Sequence, residues 1–296
     1  MKRTLIISAF LALVFVPIQS CRLYYIPTVN NNVCKRLNGH VVLYAIFVDT
    51  RYTLPWSSYD ITSTLDSIKR AMKWIEAQAA ASGIPLTIDI QYYQNKGMVP
   101  LKNDFPNRTL SGTLFNPIVP IGIRKLDRWA DALAKKAGRT MPADTSKIVN
   151  TKNKLSDRER LIARIRDLNK TDNVVLMYFV NNYYKQEMSV SIHTDSFTDI
   201  EYSIVSFKDP SVIAHEFLHI FGALDLYINP FQPKKSQRKN KRAMKEFPNE
   251  IMAFAYRDIS ELNISPFTKY LIGWSNQLDD KYKNLVLGHR AKAYKF

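Results

Sequence analysis

Apolar positions change period several times along the chain, and each change marks an element. Val41 to Val48 (V-V-L-Y-A-I-F-V) is an unbroken apolar run of strand length, rich in β-branched and aromatic residues. From Asp60 to Ala81 the apolar positions Ile61, Leu65, Ile68, Met72, Ile75 and Ala79 recur at three- and four-residue spacing. That spacing predicts a long helix, and Gly83 and Pro85 stop it. Leu86 to Tyr93 then alternates as a second strand. Strand, long helix and strand in that order imply a right-handed parallel crossover.

The middle of the chain keeps a weaker pattern. Gly97 to Pro120 reads as loop, with several prolines and an Asn107-Arg108-Thr109 sequon. Ile123 to Ala137 is helical through Leu126, Trp129, Ala130 and Leu133, ending at Gly138. Ser156 to Leu168 is a further helix, capped by Ser156 with Glu159 three residues on. We read about 95–170 as a helical insertion packed beside the main domain. Val174 to Val180 is again a buried strand, and Met188 to His193 and Glu201 to Phe207 alternate as two more.

Asp209 to Asp225 is the stretch around which the rest is organised: D-P-S-V-I-A-H-E-F-L-H-I-F-G-A-L-D. Asp209 suits an N-cap, Pro210 the first helical position, and Gly222 a sharp turn at the end. Val212, Ile213, Ala214, Phe217, Leu218, Ile220 and Phe221 are apolar nearly all round, so the helix is buried. Two histidines four apart, His215 and His219, share one face of such a helix. Their imidazoles can meet one Zn²⁺, with Glu216 beside them as general base. A pair of hydrogen-bonded core histidines is the bland alternative, but buried polar groups are costly unless something satisfies them, and a metal would.

The segment His215-Glu216-Phe217-Leu218-His219-Ile220-Phe221-Gly222-Ala223-Leu224-Asp225 resembles the extended zinc motif of the metzincin clan, H-E-x-x-H-x-x-G-x-x-H. The third position here holds Asp225, which is similar to the snapalysin-like branch of small bacterial metzincin-type proteases. The resemblance implies that His215, His219 and Asp225 ligate one catalytic zinc, that Glu216 is the base, and that Gly222 turns Asp225 toward the metal. Three protein ligands leave a fourth position open for water, as a catalytic zinc requires. Asn249-Glu250-Ile251-Met252-Ala253-Phe254-Ala255-Tyr256 resembles the Met-turn of the clan, with Met252 as the hydrophobic floor under the metal. Several of its families place an assisting tyrosine two residues after that methionine. Phe254 stands there, which makes nearby Tyr256 the candidate. A rival ligand is Glu250, as in thermolysin-like zincins, although it leaves Gly222 and Asp225 unexplained.

The fold implied is α/β (α+β): a zincin/metzincin-like domain over 39–278. It has a twisted, mostly parallel sheet with an antiparallel edge strand, an active-site helix, and a C-terminal helix running from Ser265-Pro266 to Gly273. Ser189 to Thr194 is the candidate edge strand that takes substrate backbone by strand addition. His193 lies on it without a partner and reads as a surface histidine.

The flanks set location. Met1-Lys2-Arg3 followed by the apolar run Thr4 to Ile18 reads as a signal peptide over 1–20, too short and wrongly flanked for a stable membrane span. Ile18-Gln19-Ser20-Cys21 is similar to a bacterial lipobox, which implies lipidation at Cys21. Ordinary cleavage near Ser20 is the alternative, and then Cys21 and Cys34, the two cysteines of the chain, can close a disulfide. Residues 21–38 read as a tether and 279–296 as a basic tail.

Net charge is +16. No nucleic-acid module accompanies it, so the charge reads as solvated surface, with attraction to an anionic envelope as the weaker alternative. Lys234, Lys235, Arg238, Lys239, Lys241, Arg242 and Lys245 crowd into 230–247, which reads as a mobile basic loop at the cleft rim. Attraction of acidic substrate is its functional reading and solubility the bland one. The expectation is therefore an exported, lipid-anchored, monomeric zinc endopeptidase acting on protein or peptide substrates. The alternative is an inactive zinc-binding envelope lipoprotein that serves as a binding module.

Overall fold

A computed structural model describes residues 36–51, 53–95, 97, 99–104, 120–140, 156–181, 189–192, 201–206, 208–228 and 234–283. The stretch read as a signal peptide (1–20), Cys21, Cys34, the sequon and His193 lie outside the described residues, as do most of the stretch read as a tether and the tail beyond Lys283.

The strands are β1 (Gly39–Asp49), β2 (Leu86–Tyr92), β3 (Leu101–Lys102), β4 (Asn173–Val180), β5 (Ser189–Ile192) and β6 (Tyr202–Val205). They form one sheet in the order β2-β1-β4-β6-β5, with β3 beside the end of β1. Every pairing is parallel except β5 on β6, where Ser189 faces Val205 and Ile192 faces Tyr202. The expected crossover is present: helix α1 (Ser58–Ala81) connects β1 to β2. Ser57 caps it, exchanging hydrogen bonds with Asp60 in a capping box.

β1 and β4 carry apolar residues on both faces because both faces are covered. Val41, Leu43, Ala45 and Phe47 point one way, with Val175, Met177 and Phe179, onto Ile68, Met72 and Ile75 of α1. Val42, Tyr44, Ile46 and Val48 point the other way, with Val174, Leu176 and Tyr178, onto helices α2 (Pro120–Gly138) and α3 (Asp157–Asn169). Leu126, Trp129 and Leu133 of α2 meet Leu161, Ile162 and Ile165 of α3 there. At about 1.5–3 kcal/mol for each large apolar side chain buried, this second layer is as necessary to the sheet as the first.

That corrects the reading of about 95–170 as an insertion. Its two helices are the outer layer of an α/β/α sandwich. Arg158 seals them together. Fully buried, it pairs Nε with Asp131 at 2.8 Å and Nη1 with Asp127 at 3.1 Å, and its guanidinium lies 4.8 Å from the Tyr202 ring centre.

The same face of the sheet as α1 receives α4 (Pro210–Ile220), which carries the two histidines. Pro210 opens it as expected, while the Asp209 side chain makes no capping hydrogen bond. Behind it lie the short helix α6 (Ile251–Phe254), a 3₁₀ turn (Ile259–Glu261), α7 (Pro266–Leu271) and α8 (Asp280–Lys283).

A second correction concerns the basic segment. Lys234–Glu246 is helix α5, with Asn240 and Ala243 buried. Its cations take one side, so the other can pack.

Candidate metal centre

His215 and His219 are one helical turn apart on α4, and both rings are buried. After Ile220 the chain must reverse. Gly222 does this with a backbone φ of 97°, a left-handed conformation that a side chain would oppose. Its N–H donates to the His219 carbonyl at 2.9 Å, and the Ala223 N–H to Leu218 at 3.2 Å. The turn brings Asp225 back over the helix.

Three donor atoms then meet. His219 Nε2 lies 3.0 Å from His215 Nε2 and 2.9 Å from Asp225 Oδ1, and His215 Nε2 lies 3.2 Å from that oxygen. The other ring nitrogens are committed. His215 Nδ1–H donates to the Ile251 carbonyl at 3.2 Å and His219 Nδ1–H to the Ala223 carbonyl at 2.8 Å. A carbonyl can only accept, so each Nδ1 holds a proton and each Nε2 presents its lone pair inward. Two lone pairs and a carboxylate oxygen facing one another repel unless a cation lies among them. A proton or a metal ion satisfies them, and the donor set fits a divalent metal.

Proton and metal compete for this place. Burial pulls the His219 imidazole down, but the Asp225 carboxylate beside it more than reverses this and takes it to about 9. Asp225 is driven well below the usual carboxylate range: burial raises it, and His219 and His215 outweigh that. A metal ion entering the cluster displaces the His219 proton, so its affinity falls as pH drops below about 9.

The surroundings are asymmetric. The Asp225 side chain is 36% exposed while the histidines are nearly closed off, so the Asp225 side is the open side of the cluster. Glu216 is buried beside its neighbours, and its charge is felt by both His219 and Tyr227. Met252 is fully buried in the same core as Phe217 and Leu218. Its carbonyl accepts from the Leu226 N–H at 2.9 Å, and the neighbouring Ile251 carbonyl holds His215.

Glu250 is fully buried with both carboxylate oxygens engaged by Met252 N, Ser265 N and the Thr268 hydroxyl, so it supports a loop and does not join the cluster. Tyr256 is 76% exposed, its ring against Phe254 and Arg257. The tyrosine beside the cluster is Tyr227, whose ring centre is 6.3 Å from that of His215. Burial and the Asp225 and Glu216 carboxylates push its phenol well above the ordinary range. The phenol therefore stays protonated and can donate to Asp225 or to a developing oxyanion. Its sequence signal is its place two residues after Asp225 in the same turn.

Removing a hydrogen bond onto a ligating carboxylate weakens a metal site about ten- to hundredfold. Tyr227→Phe is expected to lower metal affinity by that factor in a chelator competition, while Tyr256→Phe leaves it in place. The reverse order would restore Tyr256 as the assisting residue.

Comparison of the chain with protein-family models, with curated proteins and with solved structures finds no match, so the reading of this centre rests on its own geometry.

Proposed function

We propose that the chain is a zinc-dependent endopeptidase exported to the cell envelope. The observation that carries this reading is the convergence of His215 Nε2, His219 Nε2 and Asp225 Oδ1, with Glu216 in the same helical turn. Two histidines and one carboxylate with an open side suit a catalytic zinc better than a closed structural one. Zinc bound there supplies a Lewis acid for the scissile carbonyl and lowers the pKa of an attacking water.

The chain's own residues do the rest. The Glu216 carboxylate takes the proton of the attacking water and returns it to the leaving nitrogen. The Tyr227 phenol, held protonated beside Asp225, is placed to donate to that carboxylate or to the developing oxyanion. β5, the antiparallel edge strand among the described residues and a neighbour of α4, is placed to take an extended substrate by strand addition. Export is supported by the basic start and the apolar run of the first twenty residues. The lipobox-like end at Cys21 supports an outer-membrane or cell-surface lipid anchor, and secreted or periplasmic protein is the alternative. No helix among the described residues is long and apolar enough to cross a membrane.

The test is casein turnover by the purified chain before and after treatment with a zinc chelator. Turnover abolished by chelation and restored by zinc is the expected result. Bound zinc without hydrolysis of any unfolded protein would favour the inactive binding module.

A further inference from the structure

Helix α5 is built against its own stability. Lys234/Arg238, Lys235/Lys239, Arg238/Arg242 and Lys241/Lys245 are like charges four residues apart, which repel. Its first turn holds Lys234 and Lys235 and no acid, while Glu246 ends it, so these charges oppose the helix dipole. Glu246, whose charge Arg242 feels, is engaged at 3.1 Å by Lys281 of α8. At 3.6 residues per turn the seven fall within an arc of about 160°, opposite Asn240, Ala243 and Phe247.

The helix is also fastened to the metal centre. Asn240 Nδ2 donates to the Tyr227 carbonyl at 2.7 Å and to the Asp225 carbonyl at 3.4 Å. The cations take the side of the helix opposite Asn240, so a segment lying on the cationic arc runs along the outer face of α5, with the helix between it and the cluster.

We propose that the cationic face of α5 is an exosite that holds an acidic segment of the protein substrate; the substrate part rests on the endopeptidase reading. Lys234 to Lys245 span about 16 Å at 1.5 Å per residue, the length of about five extended residues. Several aspartates or glutamates in such a segment neutralise the arc and relieve its internal repulsion. A membrane surface is the less suited occupant. An interfacial helix inserts Leu, Phe or Trp from the face it presents, and this arc has none; Ala243 and Met244 turn toward the core instead.

Fluorescence anisotropy of a labelled decaglutamate peptide decides the matter, using the full chain with Glu216→Gln so that nothing is cleaved. Lys235→Gln/Arg238→Gln/Arg242→Gln on α5 is compared with Lys69→Gln/Arg70→Gln/Lys73→Gln on the exposed face of α1, which changes net charge equally. At about 50 mM salt the α5 set is expected to weaken binding about tenfold or more, and the α1 set less than about twofold. Equal loss in both sets, or no binding at all, would overturn the exosite. Binding of phosphatidylserine vesicles through α5 without binding of the peptide would overturn it in favour of a membrane surface. Neither zinc nor turnover enters this measurement. No selective loss of peptide binding in the α5 set beside chelator-sensitive casein turnover sinks the exosite alone, and selective loss in the α5 set without chelator-sensitive turnover sinks the endopeptidase reading alone.

Discussion

Glu216→Gln is expected to lower turnover about a thousandfold while zinc stays bound, a loss of about 4 kcal/mol of transition-state stabilisation. The substitution keeps the size and shape of a buried side chain on α4, so the helix and both histidines hold their places. What it removes is the ability to accept a proton next to His219 and Tyr227. A group acting only in proton transfer should change kcat and leave KM nearly untouched. Steady-state kinetics on one peptide, with metal content measured on the same samples, separates the cases. Turnover within about tenfold of the parent chain would mean that another group moves the proton.

Glu250→Ala is expected to be the most destabilising single change near the centre. This carboxylate is 0% exposed. It accepts from Met252 N and the Thr268 hydroxyl, both at 3.1 Å, and from Ser265 N. Ser265 is itself the N-cap of α7, so one side chain ties that cap to the turn carrying Met252. Removal leaves three buried donors without an acceptor. At about 1–3 kcal/mol for each, the loss is about 4 kcal/mol or more. In thermal unfolding that is a fall on the order of 10 °C for a domain of this size. The turn would also release the Ile251 carbonyl that orients His215, so metal affinity should fall with stability. A change in stability below about 1 kcal/mol would show that the loop is held by other contacts.

Much of the architecture was legible because its signals are local. The period of α1, the apolar runs of β1 and β4, the capping box at Ser156 and the turn at Gly222 each follow from a few neighbouring residues. The outer layer was not. α2 and α3 sit in a part of the chain rich in loop residues, and the evidence that they cover the sheet lies elsewhere, in the even-numbered residues of β1. A strand with Val42, Tyr44, Ile46 and Val48 on its second face cannot leave that face in water.

α5 was hidden for a different reason. Its packed side amounts to Asn240, Ala243 and Phe247 among seven cations, so charge masked a helical spacing that is nonetheless present. Within the site, His215 and His219 could be read from helical spacing and Asp225 from the resemblance of the motif, and one helix and one turn bring the three together. Tyr227, whose ring lies beside that of His215, was not among the residues read from the sequence. The tyrosine was sought after the methionine, whereas the same turn that returns Asp225 to the helix also carries Tyr227 to it. Glu250 could be seen as an acid of interest but not as a support, because its partners Ser265 and Thr268 lie more than a dozen residues away.

Metal content of the purified chain tests the central claim most directly, with Asp225→Ala and Glu216→Gln measured beside it. The expected result is one zinc per chain, lost on Asp225→Ala and kept in full on Glu216→Gln. Zinc retained in full by Asp225→Ala, or no zinc in the parent chain, would contradict a centre built from His215, His219 and Asp225.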